Sequence, residues 1–208
     1  MVRKAVIALG FVALTFSGSP LLAEKLSKAD RAAIAASAED VAKKVTIKND
    51  PLDTSIVLST ENFKRDKVNF IGTGADKFLR ASIDKTTGET IYQVYFWSQY
   101  ISSSWAFMDG MTYETPSGPA SAEVRRLASD VNCSSSAYVG CTYLEHIAAD
   151  IPEDILRNVS NGATAGSDVQ WKFRISGKSI ESFTTGLLTT EIAGLIIAVD
   201  AEKVKLTQ

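Results

Sequence analysis

The stretch Lys77–Ile101, KFLRASIDKTTGETIYQVYFWSQYI, decides how this chain is read. Lys77–Ile83 and Glu89–Ile101 are rich in β-branched and aromatic residues and flank Asp84-Lys85-Thr86-Thr87-Gly88, a short polar loop that ends on glycine. That pattern predicts a β-hairpin. Side chains alternate along a strand, so Tyr92, Val94, Phe96 and Tyr100 share one face of the second arm, and Ile91, Tyr95, Trp97 and Ile101 share the other. Both faces are apolar. The simpler expectation is a central strand covered on both sides, by helices or a second sheet. The alternative is that one face lines a pocket or an interface, since Tyr and Trp suit places where an apolar body keeps a polar tip hydrogen-bonded. On that alternative the candidate binding residues are Tyr95, Trp97 and the nearby Trp105.

Downstream, Trp105–Tyr113 is expected to continue the meander, with a bulge or tight bend at Asp109-Gly110, until Pro116-Ser117-Gly118-Pro119 breaks it. Glu123–Asn132 leads into Cys133 and Thr142–Ala149 leads away from Cys141. Paired as antiparallel strands, the two would be joined by a loop that a disulfide closes, although helical periodicity over Ala120–Val131 competes. Pro152 opens a short helix over Glu153–Val159, with acids in its first turn and Arg157 near its end, and Asn161-Gly162 stops it. Val169, Trp171, Phe173 and Ile175 alternate with Gln170, Lys172 and Arg174, the signature of a half-buried strand. In the closing segment Leu188, Ile192, Leu195 and Val199 stand at helical offsets, and a terminal helix packed on the sheet is favoured over a strand.

Upstream, Ser55–Ser59 and Val68–Ile71 are candidate strands separated by the charged segment Glu61–Lys67. Ser27–Lys44 is rich in Ala, Lys, Asp and Glu and reads as a helix. Ser27 and Asp30 give it a capping-box-like start, and it carries few large apolar residues, so a loosely docked helix is expected. Asn49-Asp50-Pro51 marks its end. The fold class is therefore α+β, a mainly antiparallel sheet of hairpins with an N-terminal helix, a short helix near 153–159 and a C-terminal helix on the sheet. Three stretches follow: 1–23, a helical segment 24–50, and one β-rich domain 51–208. No fixed-period repeat is present.

Residues 1–23 read as a cleaved export signal of bacterial style. Arg3 and Lys4 precede the apolar run Ala5–Phe16, and Ser17–Ala23 is a small-residue stretch suited to cleavage after Ala23. A spanning helix needs about 20 apolar residues, and this run ends sooner. Glu24 stands where a lipid-modified cysteine would be required. The expected location is periplasmic or secreted, in the bacterial envelope, with no membrane anchor after cleavage. Of 22 basic residues, removal of Arg3 and Lys4 leaves 20 against 24 acidic, a formal charge of −4. Such a balance disfavours nucleic acid, whose phosphates call for clustered Lys and Arg.

Cys133 and Cys141, the only two cysteines, are expected to form a disulfide in an oxidising compartment. Closing so short a loop stabilises by ~2.5 kcal/mol in the chain-entropy model. A redox role lacks the usual C-x-x-C spacing. His146 is the only histidine, which removes multi-histidine metal sites and leaves too few soft ligands for zinc. No cofactor is expected. No serine sits in a G-x-S-x-G elbow or an S-x-x-K motif with its partner motifs. Gly177-Lys178-Ser179 lacks the leading glycine of a phosphate loop, and Gly72-Thr73-Gly74 the third glycine of a dinucleotide fingerprint. Asp109, Glu114 and Glu145 are acids near aromatics, but nothing in their spacing makes a carboxylate pair. Glu145 and His146, adjacent in a strand, should face opposite ways. No catalytic residue is assigned. The functional expectation is an exported binding or interaction module, its partner an envelope protein or an apolar small molecule. The alternative is an envelope hydrolase whose carboxylate or serine site, such as Glu145, His146 and a serine, assembles only in three dimensions.

Overall fold

The computed structural model of the chain describes residues 27–63, 74–133 and 140–207. Residues 1–23, read above as an export signal, and the candidate strand Val68–Ile71 lie outside these described residues. Among the described residues, nine antiparallel strands follow in chain order: β1 (Thr46–Lys48), β2 (Ser55–Ser59), β3 (Gly74–Asp84), β4 (Thr90–Ser102), β5 (Met108–Thr115), β6 (Gly118–Cys133), β7 (Cys141–Ile151), β8 (Gln170–Gly177) and β9 (Ile180–Leu188). Four helices among the described residues accompany them: α1 (Lys28–Ala35), α2 (Ala38–Ala42), α3 (Glu153–Ser160) and α4 (Thr189–Leu206). The chain is α+β and dominated by its sheet, with the C-terminal helix packed on it. No helix among the described residues is long and apolar enough to cross a membrane.

The strands lie in the order β1-β2-β3-β4-β7-β6-β5-β8-β9. The β3–β4 hairpin forms as the sequence implies, and Asp84 holds its turn by accepting from the Thr86 and Thr87 N–H groups, each at 2.8 Å. The long strand β6 joins two halves: Gly118–Glu123 pairs with β5, and Val124–Cys133 pairs with β7. Cys133 faces Cys141 across this ladder and the two form a disulfide. Strand pairing thus prevails over the helical periodicity of Ala120–Val131.

Helix α4 packs against β2 and β3 near one end of the strand order and against β9 at the other. The sheet therefore curls around it. Ile192, Leu195, Ile196 and Val199 are buried in the core, α2 and α3 also pack against the helix, and its buried residues lie on all sides. Such all-round burial is what a helix that is apolar on every side requires.

The structure corrects several expectations. Trp105–Tyr113 does not continue the meander, because β7 occupies the edge of β4 from Tyr92 to Ser102, and β5 lies instead between β6 and β8. The expected irregularity at Asp109-Gly110 is a register shift between Met108 and Gly110 against β8. The single N-terminal helix is two helices. Ala36 is extended, and Ser37 starts the second by accepting from the Asp40 N–H at 3.2 Å. The first starts with the Ser27–Asp30 capping box. Nor is this segment loosely docked, since Val41 is fully buried beside Gly194 of α4. The sheet begins with β1, ahead of the Asn49–Pro51 turn. Ile180–Leu188, not foreseen as a strand, pairs with β8 along its length.

Candidate functional site

Strand β4 is covered on one face only. Tyr92, Val94 and Phe96 are buried in the core, whereas on the opposite, outer face Tyr95 and Trp97 are half-buried and Ile91 is 55% exposed. The expectation of cover on both sides is overturned, because the helices gather on the concave face that the curled sheet encloses.

On the outer face lies a groove of 330 Å³ that crosses β1 to β4 and reaches β7. It is lined in part by Phe78, Arg80, Tyr95, Trp97 and His146. The sheet register builds it. Phe78 is opposite Tyr95 across β3–β4, and Trp97 is opposite His146 across β4–β7. Phe78 and Tyr95 stack with centroids 4.6 Å apart, and the Arg80 guanidinium lies over the Tyr95 ring at 5.6 Å. The Tyr95 hydroxyl and His146 Nδ1 share a hydrogen bond of 2.7 Å, and the Trp97 ring lies nearly parallel to the imidazole. The aromatic rings are thus fixed by neighbours on two strands.

Burial sets the protonation states. It raises the Tyr95 hydroxyl above the usual phenol value and lowers the His146 imidazole below its usual 6.5, so both are neutral at pH 7. A lowered imidazole means that the unfolded chain takes up this proton first as pH falls below 6.5. The stability due to the neutral ring is therefore full above that pH and is lost as pH falls through the folded-state value. Because His146 is the only histidine, its Cε1 proton is resolved in a one-dimensional NMR titration. Its midpoint is expected below 6.5 in the folded protein, rising on Trp97→Ala if that ring excludes water from it; a folded-state midpoint at or above 6.5 refutes this account.

Of the three binding candidates, the structure brings Tyr95 and Trp97 together and leaves Trp105 elsewhere. Trp105 packs edge-on against Tyr143, which stacks on Tyr100, and these residues belong to the core side of the sheet. The carboxylates do not converge either. Asp109 stands 3.8 Å from Lys178, Glu114 accepts from the Lys172 N–H at 3.3 Å, and Glu145 is fully buried. Glu145 and His146 point to opposite faces, as alternation requires.

Sequence reading missed Phe78, Arg80, Lys48, Ser59, Asp53 and Glu61, all in the lining. Phe78 and Arg80 carried a faint signal, as alternate residues on the arm paired with Tyr95. Lys48 and Ser59 carried none, because only the β1–β2–β3 register brings them there. No family model matches this chain, and no curated protein or solved structure shows significant similarity to it.

Proposed function

We propose that this chain is an exported, periplasmic or secreted, binding module that seats a small ring-bearing or apolar molecule against Tyr95 and Trp97 and performs no chemistry on it. One observation carries this reading: the aromatic strand turns two of its five rings, Tyr95 and Trp97, outward into a groove near the lower end of ligand-pocket sizes, about 300–1,000 Å³. The Cys133–Cys141 disulfide is compatible with an oxidising location. The hydrolase reading draws no support from the geometry, since Glu145 and His146 lie on opposite sides of the sheet.

The test is to purify the exported chain under mild conditions, denature it, and compare the released small molecules by mass spectrometry with those from Trp97→Ala. The variant is first shown to be folded by its thermal transition. Loss of a buried aromatic contact costs about tenfold in affinity. A compound carried by the wild type and depleted about tenfold in the variant is the expected result. Equal recovery of every compound from both proteins sinks the proposal.

A further inference from the structure

The charge pattern of the groove says more about its occupant, on the reading that the groove is a ligand seat. Lys48 is opposite Val57 at the middle of β2 and Arg80 is opposite Ser59 at its end, so one cation stands on each side of that strand. Asp53 precedes that strand and Glu61 follows it, which puts the two carboxylates of the lining at its opposite ends. Among the described residues, no carboxylate lies within 4.0 Å of Lys48 or Arg80. Arg125, on the same side of the sheet, differs: Asp150 accepts from it at 2.6 Å.

The ring of Tyr95 occupies the face of the Arg80 guanidinium. A guanidinium donates in its plane, so stacking leaves its N–H edge available, and its planar fork matches a carboxylate. Arg80 also lines an adjoining hollow of 220 Å³ with Val57, Ser82, Ile91, Gln93 and Arg125. It therefore stands where two hollows meet, with Trp97 and the neutral His146 on one side of it. The whole chain carries a formal charge of −2, so any preference for anions arises from this local pair and not from the overall field.

We propose that the groove binds a ring-bearing organic anion, its anionic group held by Arg80 with Lys48 beside it and its ring laid against Trp97. A neutral compound of the same shape leaves the Arg80 donors without the charged acceptor and binds more weakly.

Two probes of matched shape, 2-naphthoate and 2-naphthamide, separate the anion reading from the groove reading. Binding to the exported chain is followed by titration calorimetry. The naphthoate is expected to bind about tenfold more tightly than the amide, the usual value of a hydrogen bond to a charged group. Arg80→Gln should abolish that ratio and Arg80→Lys retain part of it, while Trp97→Ala weakens both probes alike. Equal affinities that Trp97→Ala still lowers overturn the anion inference and leave the groove reading standing. Binding of both that is indifferent to Trp97→Ala overturns the groove reading itself. Failure of both probes to bind at millimolar concentration overturns the ring-bearing class, and the co-purification experiment then decides the groove reading on its own.

Discussion

Glu145→Ala is expected to destabilise the protein by about 3–5 kcal/mol, a large part of the 5–15 kcal/mol typical of a domain. The carboxylate is fully buried and accepts from three donors: the Tyr100 hydroxyl at 2.5 Å, the Phe107 N–H at 3.1 Å and the Met108 N–H at 3.1 Å. Truncation strands all three, and each unsatisfied buried donor costs about 1–3 kcal/mol. Arg126, 3.7 Å away with a side chain 39% exposed, adds little because water screens it.

The position matters because the chain turns there. Phe107 has φ 52, a left-handed conformation that a bulky residue adopts only when its surroundings impose it. Glu145 holds the amides on both sides of that residue's carbonyl-bearing centre, and the Phe107 carbonyl accepts from the Lys178 N–H at 3.3 Å. Burial first, and the hydrogen bond to Glu145 second, push the Tyr100 hydroxyl up to about 12, so it stays protonated and donating across the physiological range. Urea unfolding of Glu145→Ala and Tyr100→Phe checks the account. Tyr100→Phe removes one donor and should cost about 1–2 kcal/mol. A loss below about 1 kcal/mol for Glu145→Ala would show that the network does not hold this turn.

Gly194→Leu is expected to cost about 3 kcal/mol, at the upper end of what overpacking costs. Gly194 lies where α4 meets α2. A Cβ there would stand 2.5 Å from Val41 Cβ, 2.6 Å from Val41 Cγ1 and 2.9 Å from the Ala38 carbonyl oxygen. None of these is the far end of a flexible side chain. Helix α2 must therefore shift away, uncovering Val41. Even Gly194→Ala is expected to destabilise, which reverses the usual gain of about 1 kcal/mol for that change in a helix interior. In a Val41→Ala background the Cγ1 clash is gone, so the cost of Gly194→Ala should shrink, a coupling a double-mutant cycle reads directly. A higher melting temperature for Gly194→Ala alone would sink the close-approach account.

Gly194 and Glu145 show why part of the molecule was legible from the sequence and part was not. Local patterns carry local structure. The polar loop ending in Gly88 marks the β3–β4 turn, Trp171, Phe173 and Ile175 alternate into the core, and Leu188, Ile192, Leu195 and Val199 repeat at helical spacing. Strand β9 was missed because Glu181, Ser182, Thr184 and Thr185 give it no strong apolar alternation; its pairing with β8 makes it a strand. The same limit explains the misplaced β5. Its strand character is visible in the sequence, but its neighbours are chosen by which edge is free, and β7 takes the edge of β4.

The aromatic strand marks the same division. Alternation alone put Tyr95 and Trp97 on one face and Tyr92, Val94 and Phe96 on the other, and adjacency alone set Glu145 and His146 on opposite sides. Spacing alone allowed Cys133 and Cys141 to close a loop. The sequence could not say which face of β4 would be buried, because both faces are apolar and both could have been covered. The tertiary structure decided that by curling the sheet around α4, which fills the concave side and leaves the convex side to solvent. The same curl and register bring Lys48, Ser59, Phe78 and Arg80 beside Tyr95 and Trp97, and they carry Trp105 to the other face. Side-chain alternation is a property of the backbone, and so it is written in the sequence. Which face meets a helix depends on long-range packing, and so it is settled only when the whole chain has folded.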